Sequence, residues 1–176
     1  MLVLGVVAIL AGILYSEGPF PISSTPLGEV LVALIMGPIE VIAANLAASG
    51  EISSLAPVFS IPVSLMVAAI LLTNNLRDVD KDREHRRRTL AVVAGRKNGL
   101  LVLLLLMVCT FLWSIPAFLL FSTPMSVFLV WLAFPVAAWS YSELWRDRGW
   151  PDSVKAISRL DIFVGVLLTV SILIPF

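Results

Sequence analysis

Long apolar runs alternate with short polar links along the whole chain, and most of the runs match the roughly 20 residues a helix needs to cross a bilayer. Six runs stand out. They cover Met1 to about Tyr15, Leu27 to Ala48, Pro57 to Asn75, Asn98 to Phe121, Pro124 to Leu144 and Leu160 to Phe176. The first is short. No small-residue cleavage site follows it and Gly18-Pro19 reads as a turn, so it is not read as a signal peptide. Pro19, Pro21 and Pro26 punctuate the first link, Ser49-Gly50 the second, and Ser122-Thr123-Pro124 the fourth. A backbone in lipid must satisfy its own polar groups, so the spans are predicted to be helices. Pro38, Pro62, Pro116 and Pro135 fall inside them and predict kinks.

Charge sets the orientation. All twelve Lys and Arg residues lie in two links. Arg77, Lys81, Arg83, Arg86, Arg87, Arg88, Arg96 and Lys97 follow the third run; Arg146, Arg148, Lys155 and Arg159 follow the fifth. Two spans separate these links, so both face one side, which the positive-inside rule makes cytoplasmic. The Gly18 link joins them by parity, and the Gly50 and Ser122 links face outward. Trp113, Trp145, Trp150 and Tyr141 sit near span ends, as interfacial anchors do.

Composition agrees. Hydrophobic residues make up 59% of 176 and charged residues 14%, with a mean hydropathy of +1.00. Soluble domains hold about 45–50% apolar residues, and disordered chains far fewer. The lone Cys109 excludes a disulfide framework and reads as a packing residue within its span. Twelve acids balance twelve bases, which gives no sign of a nucleic-acid partner. The fold class is an all-α, polytopic transmembrane helix bundle of about six spans, one domain over residues 1–176.

One segment carries chemistry. Asn74-Asn75-Leu76-Arg77-Asp78-Val79-Asp80-Lys81-Asp82 closes the third run. Asp78 and Asp82 are four apart, so a helix stacks them on one face, with Asn74 a turn earlier on the same stripe, Asn75 beside it and Asp80 on the other side. Stacked carboxylates suit Mg²⁺, a hard cation commonly held by one or two carboxylates plus substrate phosphates. Arg77, Lys81, Arg83, Arg86, Arg87 and Arg88 are placed to neutralise phosphate oxygens. The plainer reading is a set of ordinary charges on a solvated loop; the Asn-Asn lead-in and the basic tail favour diphosphate–Mg²⁺ binding over it.

This segment, followed by Arg87-Arg88-Thr89-Leu90-Ala91-Val92 and Gly95, resembles the second aspartate-rich motif of the UbiA superfamily of intramembrane prenyltransferases. It is most similar to the branch that prenylates 1,4-dihydroxy-2-naphthoate in menaquinone synthesis. Tyr15-Ser16-Glu17-Gly18-Pro19-Phe20-Pro21 resembles that branch's Tyr-x-x-Gly-Pro link, and Leu27-Gly28-Glu29 with Gly37-Pro38 its next helix. The likeness is good from about Leu4 to Gly99 and beyond that rests on hydropathy. It implies a nine-helix fold and two Mg²⁺-binding Asp-rich motifs that grip a prenyl diphosphate. It also implies an allylic cation that an aromatic acceptor attacks, with loss of the ring carboxylate in the naphthoate branch. By resemblance, Asp78 and Asp82 are metal ligands, Asn74 and Asn75 support the metal or the diphosphate, and Arg77, Lys81 and Arg88 contact the diphosphate. Tyr15 lines the reacting pocket. The implied partners are prenyl diphosphate, an aromatic acceptor and the lipid bilayer.

The chain also departs from that pattern. It has no first motif of the form Asn-Asp-x-x-Asp-x-x-x-Asp, and Met1 matches the start of the family's fourth helix. The expectation is therefore the C-terminal two-thirds of such an enzyme, inactive by itself, with a missing N-terminal portion as a further partner. Arg86-Arg87 stand where a Gly-Lys pair is common, Glu17 where a small residue is usual, and Ala44-Asn45-Leu46 where tyrosines are frequent. The alternative is a non-enzymatic, half-length membrane protein such as a relic, scaffold or transporter fragment. A CDP-alcohol phosphotransferase is disfavoured, because the Asp-Gly-x-x-Ala-Arg lead of such enzymes is absent. Glu40, a carboxylate inside the second run, has two readings: a wall of the acceptor pocket, or a neighbour of the missing helices. His85, on the charged link, reads as solvated.

Overall fold

The computed structural model describes residues 2–18, 21–146 and 150–174, which contain helices and no strand. Expectations resting on Met1, Pro19, Phe20, Asp147, Arg148, Phe176 and the Trp150 side chain lie outside the described residues. Helix α1 covers Leu2–Ser16, and a single 3-10 turn, Ile22–Ser24, leads to α2, Gly28–Ser49. Then follow α3 (Leu55–Arg77), the short α4 (Val79–Glu84), α5 (Leu90–Phe121), α6 (Met125–Trp145) and α7 (Trp150–Leu173). Five helices, α2, α3, α5, α6 and α7, are long and apolar enough to span a membrane. At 1.5 Å per residue, the 15 residues of α1 reach only about 22 Å of the ~30 Å hydrocarbon core. The chain is an all-α, multi-pass integral membrane bundle.

The breaks fall mostly where proline or glycine changes the backbone. Pro38 lies in a π-helical turn, Ile35–Ile39, within α2. In α6 a 3-10 stretch, Met125–Ala133, passes into α-helix at Phe134, with Pro135 at the start where its missing N–H costs nothing. Pro116 follows the bend at Trp113 in α5. Hydropathy predicts a start near Asn98 for α5, yet the helix begins at Leu90 and turns at Gly95 (φ 75°, ψ 162°). Two helical segments meet at this glycine, so the part of α5 that follows it starts close to the predicted Asn98 and a short turn of helix, from Leu90, precedes it. The start of α7 at Trp150, well before Leu160, has another cause: Lys155 and Arg159 lie in its first turns and interrupt the apolar run.

Helix α3 is the centre of the bundle and packs against α2, α5 and α7. Met66, Ala69, Leu72 and Leu76 follow helical spacing and have no exposed surface. They join one core with Leu103, Met107 and Phe111 of α5 and Ile157, Leu160 and Val164 of α7. Trp113 belongs to this interior, edge-on to Phe59 at 5.3 Å, and is not a lipid-facing anchor; Cys109 is exposed rather than packed. Outward positions such as Leu105, Leu119, Leu120 and Leu132 are exposed and apolar, as a lipid-facing surface requires. Helix α2 approaches α3 through Gly37: a Cβ there would stand 1.8 Å from Ser64 Oγ and 3.1 Å from Ser64 Cα. Small residues at such crossings drive helix association in lipid, where apolar attraction between helices is weak.

Hydrogen bonds bring the predicted links together. Arg88 N–H donates to Ser24 carbonyl at 2.8 Å, so the first link and the long basic link share one end. Tyr141 hydroxyl donates to Leu100 carbonyl at 3.2 Å near that end, and Ser126 hydroxyl to Ser171 carbonyl at 2.6 Å near the other. Both basic links therefore lie on one face. Arg87 fastens this end: its guanidinium donates to Asp82 Oδ1 at 2.8 Å, Ser23 carbonyl at 2.8 Å and Ser24 Oγ at 3.3 Å.

Two stability measurements follow. Gly37→Ala should lower the melting temperature of the detergent-solubilised protein, at an overpacking cost of about 1–3 kcal/mol, and Ser64→Gly should restore most of it. Arg87→Ala should cost about 1.5–3 kcal/mol, the size of a charge-assisted hydrogen bond, whereas Arg83→Ala, in an exposed pair, should cost well under 1 kcal/mol.

Candidate functional site

Helix α3 ends at Asp78 (φ −97°, ψ 12°) and α4 resumes at once. The chain still makes a helical turn there, since Asp82 N–H donates to Asp78 carbonyl at 2.9 Å. Asn75, Asp78 and Asp82 therefore fall at i, i+3 and i+7 on one face. With Arg77, Lys81 and Arg87 they line an open cleft of about 630 Å³ at the charged end. Asp80 points away and is solvated, 3.8 Å from Arg83 and 3.9 Å from Arg96, which ties α4 to the start of α5.

The two aspartates sit in unlike environments. Asp78 is about one-third exposed and forms a fork with Arg77, whose Nε lies 3.2 Å from each carboxylate oxygen. The hydrogen bond from Arg77 holds the Asp78 carboxyl below its usual range, with further lowering from the charges of Arg77, Lys81 and Arg87. It is ionised at neutral pH. Asp82 is buried; Arg87 holds one oxygen and Thr89 hydroxyl reaches the other at 3.4 Å. Asn75 Nδ2 donates to Glu29 Oε1 at 2.8 Å. Glu29 on α2 is itself buried, and its second oxygen has no protein partner.

The structure thus brings Asn75, Arg77, Asp78, Lys81 and Asp82 together, as the sequence predicts. Asn74 lies beside this set, half-buried, and does not line the cleft. Tyr15 is half-buried near the end of α1, where Glu29 and Arg87 are the charges that act on it. Arg88 opens instead onto a neighbouring cavity with His85 and Arg86. Arg87 occupies the position in the cleft that sequence reasoning gave to Arg88. Within a run of three arginines, no spacing rule separates the one that turns inward. Glu29 joins the site without belonging to the motif. A carboxylate inside an apolar run is the signal that identifies it. Glu40 is exposed and borders an apolar groove of about 450 Å³ with Gly5, Ala8, Ala43, Ala44 and Ala47, away from the aspartates.

Among the described residues, no three His, Cys, Asp or Glu side chains gather as a metal cage. Both carboxylates are engaged by arginine, Asp78 by Arg77 and Asp82 by Arg87, and together they place two acids and three bases around one open cleft.

Comparison with known proteins identifies the family. Residues 1–167 match the UbiA prenyltransferase family. The 1,4-dihydroxy-2-naphthoate octaprenyltransferase of Bacillus subtilis (strain 168) is 28% identical over 176 residues, covering 98% of this chain and 57% of the relative. The protein of the same name from Escherichia coli (strain K12) is 33% identical over 101 residues, covering 56% of this chain and 30% of the relative. The human UbiA prenyltransferase domain-containing protein 1 is 25% identical over 165 residues, covering 94% and 48%. The chain spans about half the length of the curated relatives it matches. With a match through nearly the whole chain, an all-helical membrane bundle and an aspartate-lined cleft at its charged end, this chain belongs to the UbiA prenyltransferase family.

Proposed function

We propose that the cleft of Asn75, Arg77, Asp78, Lys81, Asp82 and Arg87 binds the diphosphate of a polyprenyl donor with Mg²⁺, for transfer of the prenyl group to an aromatic acceptor. The observation that carries this reading is the pair Asp78 and Asp82, held one helical turn apart in an open cleft that three cations also line. Asp78 and Asp82 would hold Mg²⁺ at this cleft, and the ion would supply stabilisation of the charge developing on the departing diphosphate. Arg77 and Lys81 would add to that stabilisation, the former by moving part of its fork from Asp78 to a phosphate oxygen. Arg87 is committed to Asp82 and to the 3-10 turn, so it acts chiefly by fixing the buried carboxylate.

The bond that breaks joins the prenyl carbon to diphosphate oxygen, and the electron pair leaves with the diphosphate. A ring carbon of the acceptor then supplies the pair for the new carbon–carbon bond. Relatives named as naphthoate octaprenyltransferases favour a dihydroxynaphthoate acceptor, with loss of its carboxylate as CO₂, and hence a step in menaquinone synthesis. Tyr15, beside Glu29 near the same end, is suited to the acceptor side of the pocket. The Lys and Arg residues gathered at this end support a cytoplasmic position for it by the positive-inside rule.

A non-catalytic role for the chain has one observation in its favour: the described residues hold only this aspartate pair and no third acidic ligand. Binding and turnover separate the readings. The purified chain should bind an unreactive prenyl thiolodiphosphate only when Mg²⁺ is present. Asp78→Asn or Asp82→Asn should weaken that binding about tenfold or more, while Asp80→Asn leaves it within about twofold. Because one motif supplies half of the clamp, we expect the chain alone to show no prenyl transfer to 1,4-dihydroxy-2-naphthoate. Binding that ignores Mg²⁺ and both aspartates removes the assignment. Rapid transfer by the chain alone removes the expectation of a divided clamp.

A further inference from the structure

Beside the aspartate cleft lies a second cavity of about 620 Å³, lined by Pro21, Ser24, Thr25 and Pro26 from the first link and by His85, Arg86, Arg87, Arg88 and Val93 from the basic one. No acidic side chain lines it. Arg87 is neutralised by Asp82, but Arg86 and Arg88 are exposed and make no ion pair or side-chain hydrogen bond among the described residues. Arg86 is held at φ 57°, in the left-handed region that favours glycine. A long, charged residue in that conformation retains a local cost, and its guanidinium adds to the cavity charge. Thr25 hydroxyl donates to Ile22 carbonyl, while Ser24 hydroxyl accepts from Arg87 and keeps its own proton to donate. The charged donors open to the cavity are guanidinium groups, which recognise phosphate oxygens in a planar fork.

Position indicates which phosphate. The cavity lies at the charged end of the bundle, where α2 and α5 begin and their apolar spans follow, so in a bilayer it would face the headgroup layer. Its apolar wall includes Val93, which is 55% exposed, and Leu27 and Val30 at the same end of α2 are 63% and 54% exposed. Guanidinium donors beside an exposed apolar strip match an acyl lipid with a phosphate head; a soluble anion would use only the donors. We propose that this cavity binds the headgroup of an anionic phospholipid through Arg86 and Arg88, independently of the neighbouring diphosphate cleft.

The test uses the full chain in nanodiscs or mild detergent, with phosphatidylglycerol as the probe and phosphatidylcholine as the reference, read by thermal unfolding and native mass spectrometry. Phosphatidylglycerol should raise the melting temperature and remain bound, whereas phosphatidylcholine does neither. Arg88→Gln should loosen phosphatidylglycerol about fivefold, and Arg86→Gly with Arg88→Gln about thirtyfold. Arg86→Gly alone should raise the melting temperature in phosphatidylcholine, by relieving the backbone, while reducing the increment from phosphatidylglycerol. That opposition is not the signature of a misfolded variant. Lys97→Gln, which removes one charge from the same link, should keep the full response. The proposal is overturned if the double variant binds phosphatidylglycerol as the unaltered chain does. It is equally overturned if inorganic phosphate at equal concentration gives the same increment, which would mark a site for a soluble anion.

Discussion

Asp82 is a carboxylate almost wholly withdrawn from water, and such a group needs a cation and hydrogen-bond donors close by. Arg87 and Thr89 supply them, and Arg87 also reaches back to Ser23 and Ser24. One side chain therefore joins the helix that ends the aspartate motif to the link between the first two helices. That link in turn sets where α2 starts, and α2 brings Glu29 onto Asn75. Position of the candidate site thus depends on a charge-pairing requirement at the membrane surface. The apolar core only orients the helix on which the motif sits.

The interior follows a different logic. In lipid, apolar burial between helices gains little, so close approach and satisfied polar groups must hold the spans together. Helix α3 shows both devices: Gly37 of α2 sits on Ser64, and Gly99 of α5 on Leu76, where a Cβ would stand 2.5 Å from Leu76 Cδ2. Hydroxyls along the spans return their protons to carbonyls of the preceding turn, as Thr73 does to Ala69 and Thr110 to Leu106. The aspartates thus follow directly on the central helix of the bundle, Asp78 capping α3 and Asp82 on the short α4 that continues it, which gives a phosphate-binding pair a fixed base.

The charged end is divided by use. On one side, Arg77 pairs with Asp78 and Arg87 with Asp82, so two of the three cations of the cleft are neutralised and Lys81 alone has no carboxylate paired to it among the described residues. On the other, no acidic side chain lines the cavity onto which Arg86 and Arg88 open, and charge is left for an anion. Composition gives a net charge of zero and conceals this division.

Much was legible from residues alone. Apolar runs longer than a bilayer is thick can only be helices in lipid, and twelve cations confined to two links fix which ends lie together. The i, i+4 spacing of Asp78 and Asp82 put both carboxylates on one face. These are local facts, set by helical period and by the cost of exposing a backbone or a charge to hydrocarbon. What the sequence could not decide was which members of a charged run turn inward. Arg87 rather than Arg88 meets the cleft, Asn75 rather than Asn74 faces it, and Glu29 rather than Glu40 approaches it. Those choices come from the path of the links and from contacts between residues far apart in the chain, such as Arg87 with Ser23. A helical repeat has no information about such contacts; only the packed bundle does.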